Sequence, residues 1–224
     1  MSYYVELNKI SLDDYKEILK ASDLLPSRNI LKDNVDKNLE TIKKHKIQNL
    51  EELLDQLKDK KKLIAFSKLS GVSEDYLTIL IREIKSYRQN PTKIKDFPDI
   101  TVDTIKRLEK IGVVNTFQLF NKILTPKERL ELSKQTGIAE KEILRLTKLT
   151  DLTRIRWVNH TFAYVLLEAS YDTSKKVAGA DYKTLHNKIR IFNENRKIYK
   201  GNVGLHDMKL CVEAAKNVSL DIKY

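Results

Sequence analysis

The chain has 224 residues, of which 41% are hydrophobic and 33% are charged, and its formal net charge is +11. This composition can fill a sizeable core and excludes an intrinsically disordered chain. The single cysteine, Cys211, excludes an internal disulfide framework and a cysteine-rich metal site. The N-terminus lacks a secretory signal pattern, and no run approaches the roughly 20 apolar residues that cross a bilayer. We therefore expect a soluble, cytoplasmic protein with no membrane partner.

The helix signals, taken in chain order, predict an all-α fold of about a dozen short helices. Glycine and proline number only 6 and 4, which disfavours sheets and hairpin turns. Capping residues precede amphipathic runs at Ser11, Asn49, Ser73, Thr125 and Asp181. The pattern after Thr125 is complete, because Pro126 starts the helix and Glu128 can close a capping box. Gly137 can then take the left-handed position that ends this helix.

An internal repeat is the strongest feature of the sequence. A shift of 66 positions lays "KKLIAFSKLSGVSEDYLTIL" over "KERLELSKQTGIAEKEILRL" without a gap. A third copy follows at an interval of 58 residues and lacks the "SGVSE" half. The shared unit is a helix, a turn that ends in a capping Asn or Thr, and a second helix, as in "IKKHKIQNLEELL", "LEKIGVVNTFQLF" and "LLEASYDTSKKVA". Helices this short are marginal alone, so the repeats must share a core.

The repeat intervals predict three segments. Residues 1–95 contain an N-terminal helix and the first repeat, residues 96–155 the second repeat, and residues 156–224 a third, diverged repeat. The boundaries fall in "SYRQNPTKIKDFP" and near "TDLTRIRW". The basic, glycine-containing "NENRKIYKGNVG" is the best candidate for a mobile loop.

Two stretches of the sequence resemble known families. "FPDITVDTIKRLEKIGVVNTFQLF" and "RIRWVNHTFAYVLLEASYDTSKKVAGAD" resemble the helix-hairpin-helix units of DNA repair proteins, polymerases and ligases. Over roughly residues 97–218 the chain is still more similar to a largely bacterial family of domains of unknown function. The resemblance implies tandem, degenerate helix-hairpin-helix-like repeats.

The hairpin turns depart from the pattern of such units. A working hairpin uses two glycines to bring backbone N–H groups close to a phosphate. Here Asp99-Ile100-Thr101 and Trp157-Val158-Asn159 take those places, and Asp99 adds a negative charge. Thr101 can cap a helix and Asn159 can adopt left-handed dihedral angles, so the hairpin fold is retained. Packing is then the favoured role of each hairpin, with phosphate binding as the alternative.

The positive charge favours backbone contacts with a polyanion. Residues 31–95 and 156–224 carry an excess of five basic residues each, and residues 96–155 an excess of two. A basic surface is expected to draw on "KDKKK" at residues 58–62, on Arg190, and on a C-terminal set. The candidate nucleic-acid-binding residues are Arg154, Arg156, Trp157, Asn159, Lys175, Lys176, Arg196, Lys197, Lys200 and Gly201. In the alternative interpretation, most of these lysines simply cover solvent-facing helix surfaces.

Two smaller features have competing interpretations. Lys200, Gly201 and Gly204 precede a helix start, where free N–H groups can meet an anion, although an ordinary turn explains the same spacing. Trp157, the only tryptophan, lies beside Arg156 and can stack on a base or anchor a partner protein. Burial of Trp157 between repeats is the favoured interpretation.

No catalytic or cofactor pattern is present. The four histidines, His45, His160, His186 and His206, have no metal-binding spacing, and Cys211 occupies an apolar helix position. The chain has no phosphate-cradling loop, nucleophile elbow or acidic pair for magnesium. We therefore predict a protein that is not an enzyme and that uses no cofactor, metal or small-molecule substrate.

The sequence predicts a binding protein whose leading function is sequence-nonspecific nucleic-acid binding, to DNA or RNA. In this hypothesis lysines and arginines contact phosphates, and helix N-termini position the backbone. The alternative is a protein-interaction adaptor or accessory subunit that docks a partner through the altered hairpins and Trp157. An exposed apolar patch of several hundred Å² would favour the alternative.

Overall fold

The computed structural model describes residues 2–224, and these residues form helices joined by turns, with no strand among them. The predicted all-α class is confirmed. Ser11 with Asn49 and Lys93 with Asn115 form isolated antiparallel bridges. No helix in the described part of the chain is both long and apolar enough to span a membrane.

The chain divides into two compact units. The N-terminal unit is Glu6–Arg88, and the C-terminal unit is Gln89–Tyr224 together with the segment that ends at Val5. The N-terminal unit contains α1 (Leu12–Ala21), α2 (Val35–Lys44), α3 (Leu50–Gln56), α4 (Lys60–Ser70) and α5 (Glu74–Lys85). The C-terminal unit contains α6 (Val102–Glu109), α7 (Thr116–Phe120), α8 (Pro126–Thr136), α9 (Glu140–Leu152), α10 (His160–Glu168), α11 (Ser174–Ala178), α12 (Tyr182–Arg196) and α13 (Leu205–Lys216). Short 3₁₀ helices occupy Leu7–Lys9, Pro26–Lys32 and Ile94–Asp96.

The predicted helix caps are confirmed. Ser11, Asn49, Ser73, Thr125 and Asp181 each accept a hydrogen bond from the backbone N–H three residues later. Thr125 and Glu128 form the complete capping box, and Gly137 ends α8 with φ of 68°. These positions depend on contacts within one helical turn, which is why the sequence reveals them.

The N-terminal unit buries the apolar faces of its five helices. Tyr15, Leu39, Leu53 and Leu77 are fully or almost fully buried within it. The Arg88 guanidinium pairs with Glu51. These contacts join residues far apart in sequence, as stacked short helices require.

The main hydrophobic core of the C-terminal unit extends from Ile94 to Val218 and includes residues of the second and third repeats, and a smaller cluster contains Tyr3, Phe120, Leu124 and Ile222. α9 lies at the centre of the main core, because Ile143, Leu146, Leu149 and Leu152 have no solvent exposure. The repeat boundary at residue 155 therefore does not divide this core.

The repeat intervals of the sequence recur in the backbone. Lys46, Gly112 and Ser170 lie in the turn after the first helix of the three copies, and all have φ between 64° and 76°. Three residues later, Asn49, Asn115 and Thr173 cap α3, α7 and α11 through their side chains. The same turn thus recurs at the intervals of 66 and 58 residues.

The second half of the repeat also recurs between the first two copies. Gly71 and Gly137 end α4 and α8 in the left-handed conformation. Ser67 donates a hydrogen bond to the carbonyl oxygen of Val72, and Ser133 donates one to Ile138, both over 2.6 Å. In the third copy α12 and α13 replace this half.

The third copy differs in the acceptor that the first backbone N–H of its second helix uses. In the first copy the Leu50 N–H donates to the carbonyl oxygen of Ile10, and in the second the Thr116 N–H donates to that of Thr92. In the third copy the Ser174 N–H donates to the Asp151 carboxylate over 2.9 Å. A buried acidic side chain thus replaces a neighbouring backbone segment.

Candidate nucleic-acid interface

Two turns in the C-terminal unit share an unusual backbone conformation. Asp99 in hairpin A (residues 98–101) has φ of 59°, and Trp157 in hairpin B (residues 156–159) has φ of 68°. In the sequence resemblance to helix-hairpin-helix units, each takes the place of the first glycine. Thr101 and Asn159 then cap α6 and α10 with their side chains. Both hairpins therefore keep a glycine-like backbone without the glycine.

Hairpin A presents a carboxylate that another residue engages. The Tyr164 hydroxyl, from α10, donates a hydrogen bond to Asp99. Burial, followed by this bond to a carboxylate, raises the pKa of Tyr164 to about 12, so its hydroxyl stays protonated and can donate. The negative charge of Asp99 opposes a phosphate at this turn.

Hairpin B presents an aromatic ring and a positive charge. The Arg156 guanidinium carbon lies 4.0 Å from the centroid of the Trp157 ring, within cation–π range. The Trp157 side chain is 39% exposed. The favoured interpretation of Trp157 as a buried residue between repeats is therefore wrong. Trp157 reaches the surface, whereas the neighbouring Val158 is buried.

Asn159 acts as a helix cap in hairpin B. Its side-chain oxygen accepts a hydrogen bond from the Phe162 N–H over 2.8 Å. That N–H is one of the free groups that a helix N-terminus could offer to a phosphate. Because Asn159 engages this N–H, the N–H is not available to position a nucleic-acid backbone as predicted.

Arg154 is buried, so its predicted role on a basic surface is wrong. The guanidinium donates to Asp151 over 3.1 Å and to the carbonyl oxygens of Ser2 and Tyr3 over 3.3 Å. It also lies 4.6 Å from the centroid of the Phe120 ring. The Arg154 guanidinium therefore makes its hydrogen bonds inside the C-terminal unit, just before hairpin B in the chain.

Asp151 is the centre of this buried cluster. Besides Arg154, its carboxylate accepts hydrogen bonds from the Ser174 N–H and hydroxyl and from the Tyr224 hydroxyl, the last over 3.1 Å. A buried charge needs such partners to offset its loss of hydration. The cluster fixes the end of α9, and with it the start of hairpin B.

The loop after α12 lies beside the first turn of α10. The Tyr199 ring packs on Phe162, with ring centroids 5.2 Å apart. Asn193 holds this loop, because its side chain both donates to the Tyr199 carbonyl oxygen and accepts from the Tyr199 N–H. The structure therefore brings the loop and hairpin B to the same end of α10.

The loop carries cations with no internal partner. Lys197, Lys200 and Arg196 are exposed, and within residues 2–224 no hydrogen bond or ion pair engages their charged ends. Lys197 and Lys200 line an open groove of about 830 Å³. Arg190, in contrast, pairs with Glu194 over 2.8 Å. These unpaired cations thus lie at the last residue of α12 and in the loop that follows it.

The glycines of this loop have structural roles. A Cβ added to Gly201 would lie 2.6 Å from the Tyr199 ring, so only glycine permits this packing. The Gly204 N–H donates to the Asp207 carboxylate over 2.8 Å. The predicted anion site at the start of α13 therefore already holds a carboxylate of the chain itself.

Lys175 and Lys176 do not join hairpin B. Both are exposed on α11, which follows the opposite end of α10. Lys176 pairs with Asp172 over 2.7 Å, and Lys148 also pairs with Asp172. Burial raises the pKa of Asp172, but hydrogen bonds from the two lysines outweigh it, so the pKa lies below its ordinary value.

The charge is unequal between the two units. The C-terminal unit has 25 Lys and Arg against 16 Asp and Glu, whereas the N-terminal unit has 17 against 15. The "KDKKK" segment belongs to the N-terminal unit, where Asp59 caps α4. The excess positive charge therefore resides mainly in the unit that contains both hairpins.

The remaining reactive side chains form no centre. Cys211 is buried in α13, as predicted, and burial raises the pKa of its thiol to about 12. Such a thiol stays protonated near neutral pH and is a poor nucleophile. In the part of the chain that the structure describes, no three His, Cys, Asp or Glu side chains come together as a metal site.

A family model for a domain of unknown function, DUF4332, matches residues 98–218. The chain belongs to this family. The DUF4332 region begins at hairpin A, contains hairpin B and the loop after α12, and lies entirely in the C-terminal unit. No curated protein and no solved structure matches the chain.

Four residues of the site went unrecognised in the sequence. Asp151, Phe162, Tyr164 and Tyr199 position the hairpins and the loop through contacts between separate helices. Only Asp151 has a local signal, since it is an acidic residue in the largely buried helix α9. The aromatic residues look like ordinary core positions.

Proposed function

We propose that the protein acts by binding rather than catalysis, and that it binds nucleic acid without sequence preference. The interface, which we call the hairpin face, consists of Arg156, Trp157, Asn159, Lys197 and Lys200. The observation that supports the proposal is the packing of Tyr199 on Phe162, which brings the loop that contains Lys197 and Lys200 to the end of α10 that follows hairpin B. Clustered cations with an exposed aromatic ring suit a polyanion whose bases can stack.

The proposal includes the interpretation of the repeats as degenerate helix-hairpin-helix units. The positive φ values of Asp99 and Trp157, and the caps at Thr101 and Asn159, support this relationship. Hairpin B then binds through side chains, because Asn159 occupies the Phe162 N–H. Hairpin A contributes packing.

The test is fluorescence anisotropy of labelled DNA and RNA oligonucleotides over a series of salt concentrations. We expect micromolar or tighter binding at about 0.05 M salt, with log affinity falling linearly against log salt. Removal of two phosphate contacts in Lys197→Glu/Lys200→Glu is expected to weaken binding and to lower the slope by about 2.

A matched control is Lys127→Glu/Lys134→Glu, which makes the same change of net charge on the exposed face of α8. If both double variants lose affinity equally, the positive charge acts only as a diffuse field, and the hairpin face is wrong. Absence of binding to every oligonucleotide near 0.05–0.1 M salt would overturn the proposal itself.

A protein-binding role is the second candidate, and a different surface favours it. The exposed Phe117 stacks on Tyr4 with ring centroids 5.7 Å apart, and Val114 nearby in sequence is 45% exposed. Exposed aromatic residues are common anchors of protein interfaces. If oligonucleotides do not bind, capture of a partner from native extract that Phe117→Ser abolishes would establish this role.

A further inference from the structure

Building on the proposed nucleic-acid binding, we infer that the ligand is single-stranded and that an unpaired base stacks on Trp157. The hairpin face joins a fixed, exposed ring to free cations in the neighbouring loop. Base stacking on an aromatic side chain is independent of sequence, because every base has a π-face.

The backbone holds the Trp157 ring outward at an energetic cost. A bulky residue at φ of 68° is rare, since its Cβ approaches the following carbonyl oxygen. Glycine would relieve this strain, yet the chain has its only tryptophan at this position. Arg156 also packs on the ring, which limits its rotation. Residues held in sparsely populated dihedral regions cluster at functional sites.

Hairpin B disfavours the binding of a duplex in the manner of a glycine hairpin. The indole stands where glycine would let a phosphate approach the backbone, and Asn159 already engages the Phe162 N–H. In a duplex the bases are stacked on each other, so their faces are closed to a side chain. An unpaired base can leave the stack and lie on Trp157.

The loop supplies contacts for the phosphates of the same strand. Tyr199 packs against Phe162 in the first turn of α10, and Lys197 and Lys200, close to Tyr199 in the chain, line a groove with residues of α12 and of the segment before α13. The strand is expected to place one base on Trp157 and adjacent phosphates near the two lysines. The ligand class is thus single-stranded DNA or RNA without sequence preference.

The fluorescence of Trp157 tests this inference directly, because no other tryptophan contributes. The probes are a thymidine 12-mer, a uridine 12-mer and a 12-base-pair DNA duplex, and anisotropy of a labelled strand measures affinity independently. We expect both single strands to quench the tryptophan emission and to bind more tightly than the duplex.

Trp157→Gly is the decisive variant, since it removes the ring and suits the positive φ. We expect it to lose about tenfold in affinity for the thymidine 12-mer, within the range for loss of one stacked base. Trp157→Phe keeps a smaller ring and is expected to lose less. Thermal unfolding of each variant checks that the fold is retained.

The experiment distinguishes failure of this inference from failure of the proposed function. If the single strands bind without quenching the tryptophan emission, and if Trp157→Gly binds them with unchanged affinity, base stacking is overturned. Nucleic-acid binding then remains in place. Tighter binding of the duplex would likewise overturn the single-strand preference alone. Absence of anisotropy change with all three probes would overturn both proposals.

Discussion

Hairpins A and B have nearly the same backbone and opposite chemistry. Asp99 and Trp157 both adopt left-handed dihedral angles, but the first presents a carboxylate and the second an aromatic ring beside a guanidinium. Aspartate tolerates this conformation because its short polar side chain can bond locally, whereas tryptophan does not. The comparison teaches that one turn conformation accommodates side chains of opposite chemistry.

Different contacts also hold the two hairpins in place. Hairpin A is joined to α10 by the partly buried hydrogen bond from Tyr164 to Asp99, and its Ile100 packs against the core. Hairpin B follows the buried Arg154–Asp151 pair, whose side chains are 2% and 4% exposed. Changes to the support of hairpin B should therefore cost more stability than changes to hairpin A.

The largest effect is expected for Arg154→Ala, which leaves Asp151 buried without its ionic partner. Removal of one member of a buried pair costs about 3–5 kcal/mol. Chemical denaturation should show this loss of the free energy of unfolding. Arg190→Ala is the control, because its pair with Glu194 is half exposed and should contribute less than about 1 kcal/mol. Equal losses in both variants would contradict the special role of the buried cluster.

A smaller effect should separate two substitutions of Trp157. Both Trp157→Gly and Trp157→Ala remove the ring, but only alanine retains a Cβ in the left-handed conformation. We expect the glycine variant to be more stable by about 1–2 kcal/mol. Urea denaturation of the two variants measures this difference. An alanine variant of equal stability would mean that the turn relaxes, and the strain argument would fail.

Tyr164→Phe should destabilise hairpin A by about 1 kcal/mol through loss of the bond to Asp99. Burial and that bond raise the pKa of Tyr164 from 10 to about 12, so the native state favours the protonated hydroxyl. The stabilisation is therefore fully present below pH 10 and is lost as the pH rises through 12. The stability difference between wild type and variant should shrink over this interval. A constant difference up to pH 12 would contradict the assigned bond.

The smallest effect is expected for Asp99→Asn. Asparagine tolerates the left-handed conformation and can still accept a bond from Tyr164, so the free energy of unfolding should change by less than about 0.5 kcal/mol. Oligonucleotide affinity should also remain within about twofold, less than the tenfold effect of a stacked base. A tenfold change in affinity on Asp99→Asn would place hairpin A in the binding surface and remove the contrast between the hairpins.

Much of the local structure follows from the sequence alone. The caps at Ser11, Asn49 and Thr125, and the repeat intervals of 66 and 58 residues, all recur in the structure. Helix starts depend on side chains and N–H groups within three residues of each other, so a linear sequence contains the whole interaction. The burial of Cys211 follows from helical spacing for a similar reason.

The candidate site required the tertiary structure. Arg154 and Arg156 are two residues apart, yet one is buried on Asp151 and the other lies over Trp157. Nothing local distinguishes them, because the partners of Arg154 include Ser2 and Ser219, at opposite ends of the chain. The sequence by itself determined the helices and their caps, which depend on residues a few positions apart, and the repeat, which is a pattern within the linear sequence. Only the packing of distant segments decided which cations are buried, such as Arg154, which are paired, such as Arg190, and which remain exposed in the loop after α12.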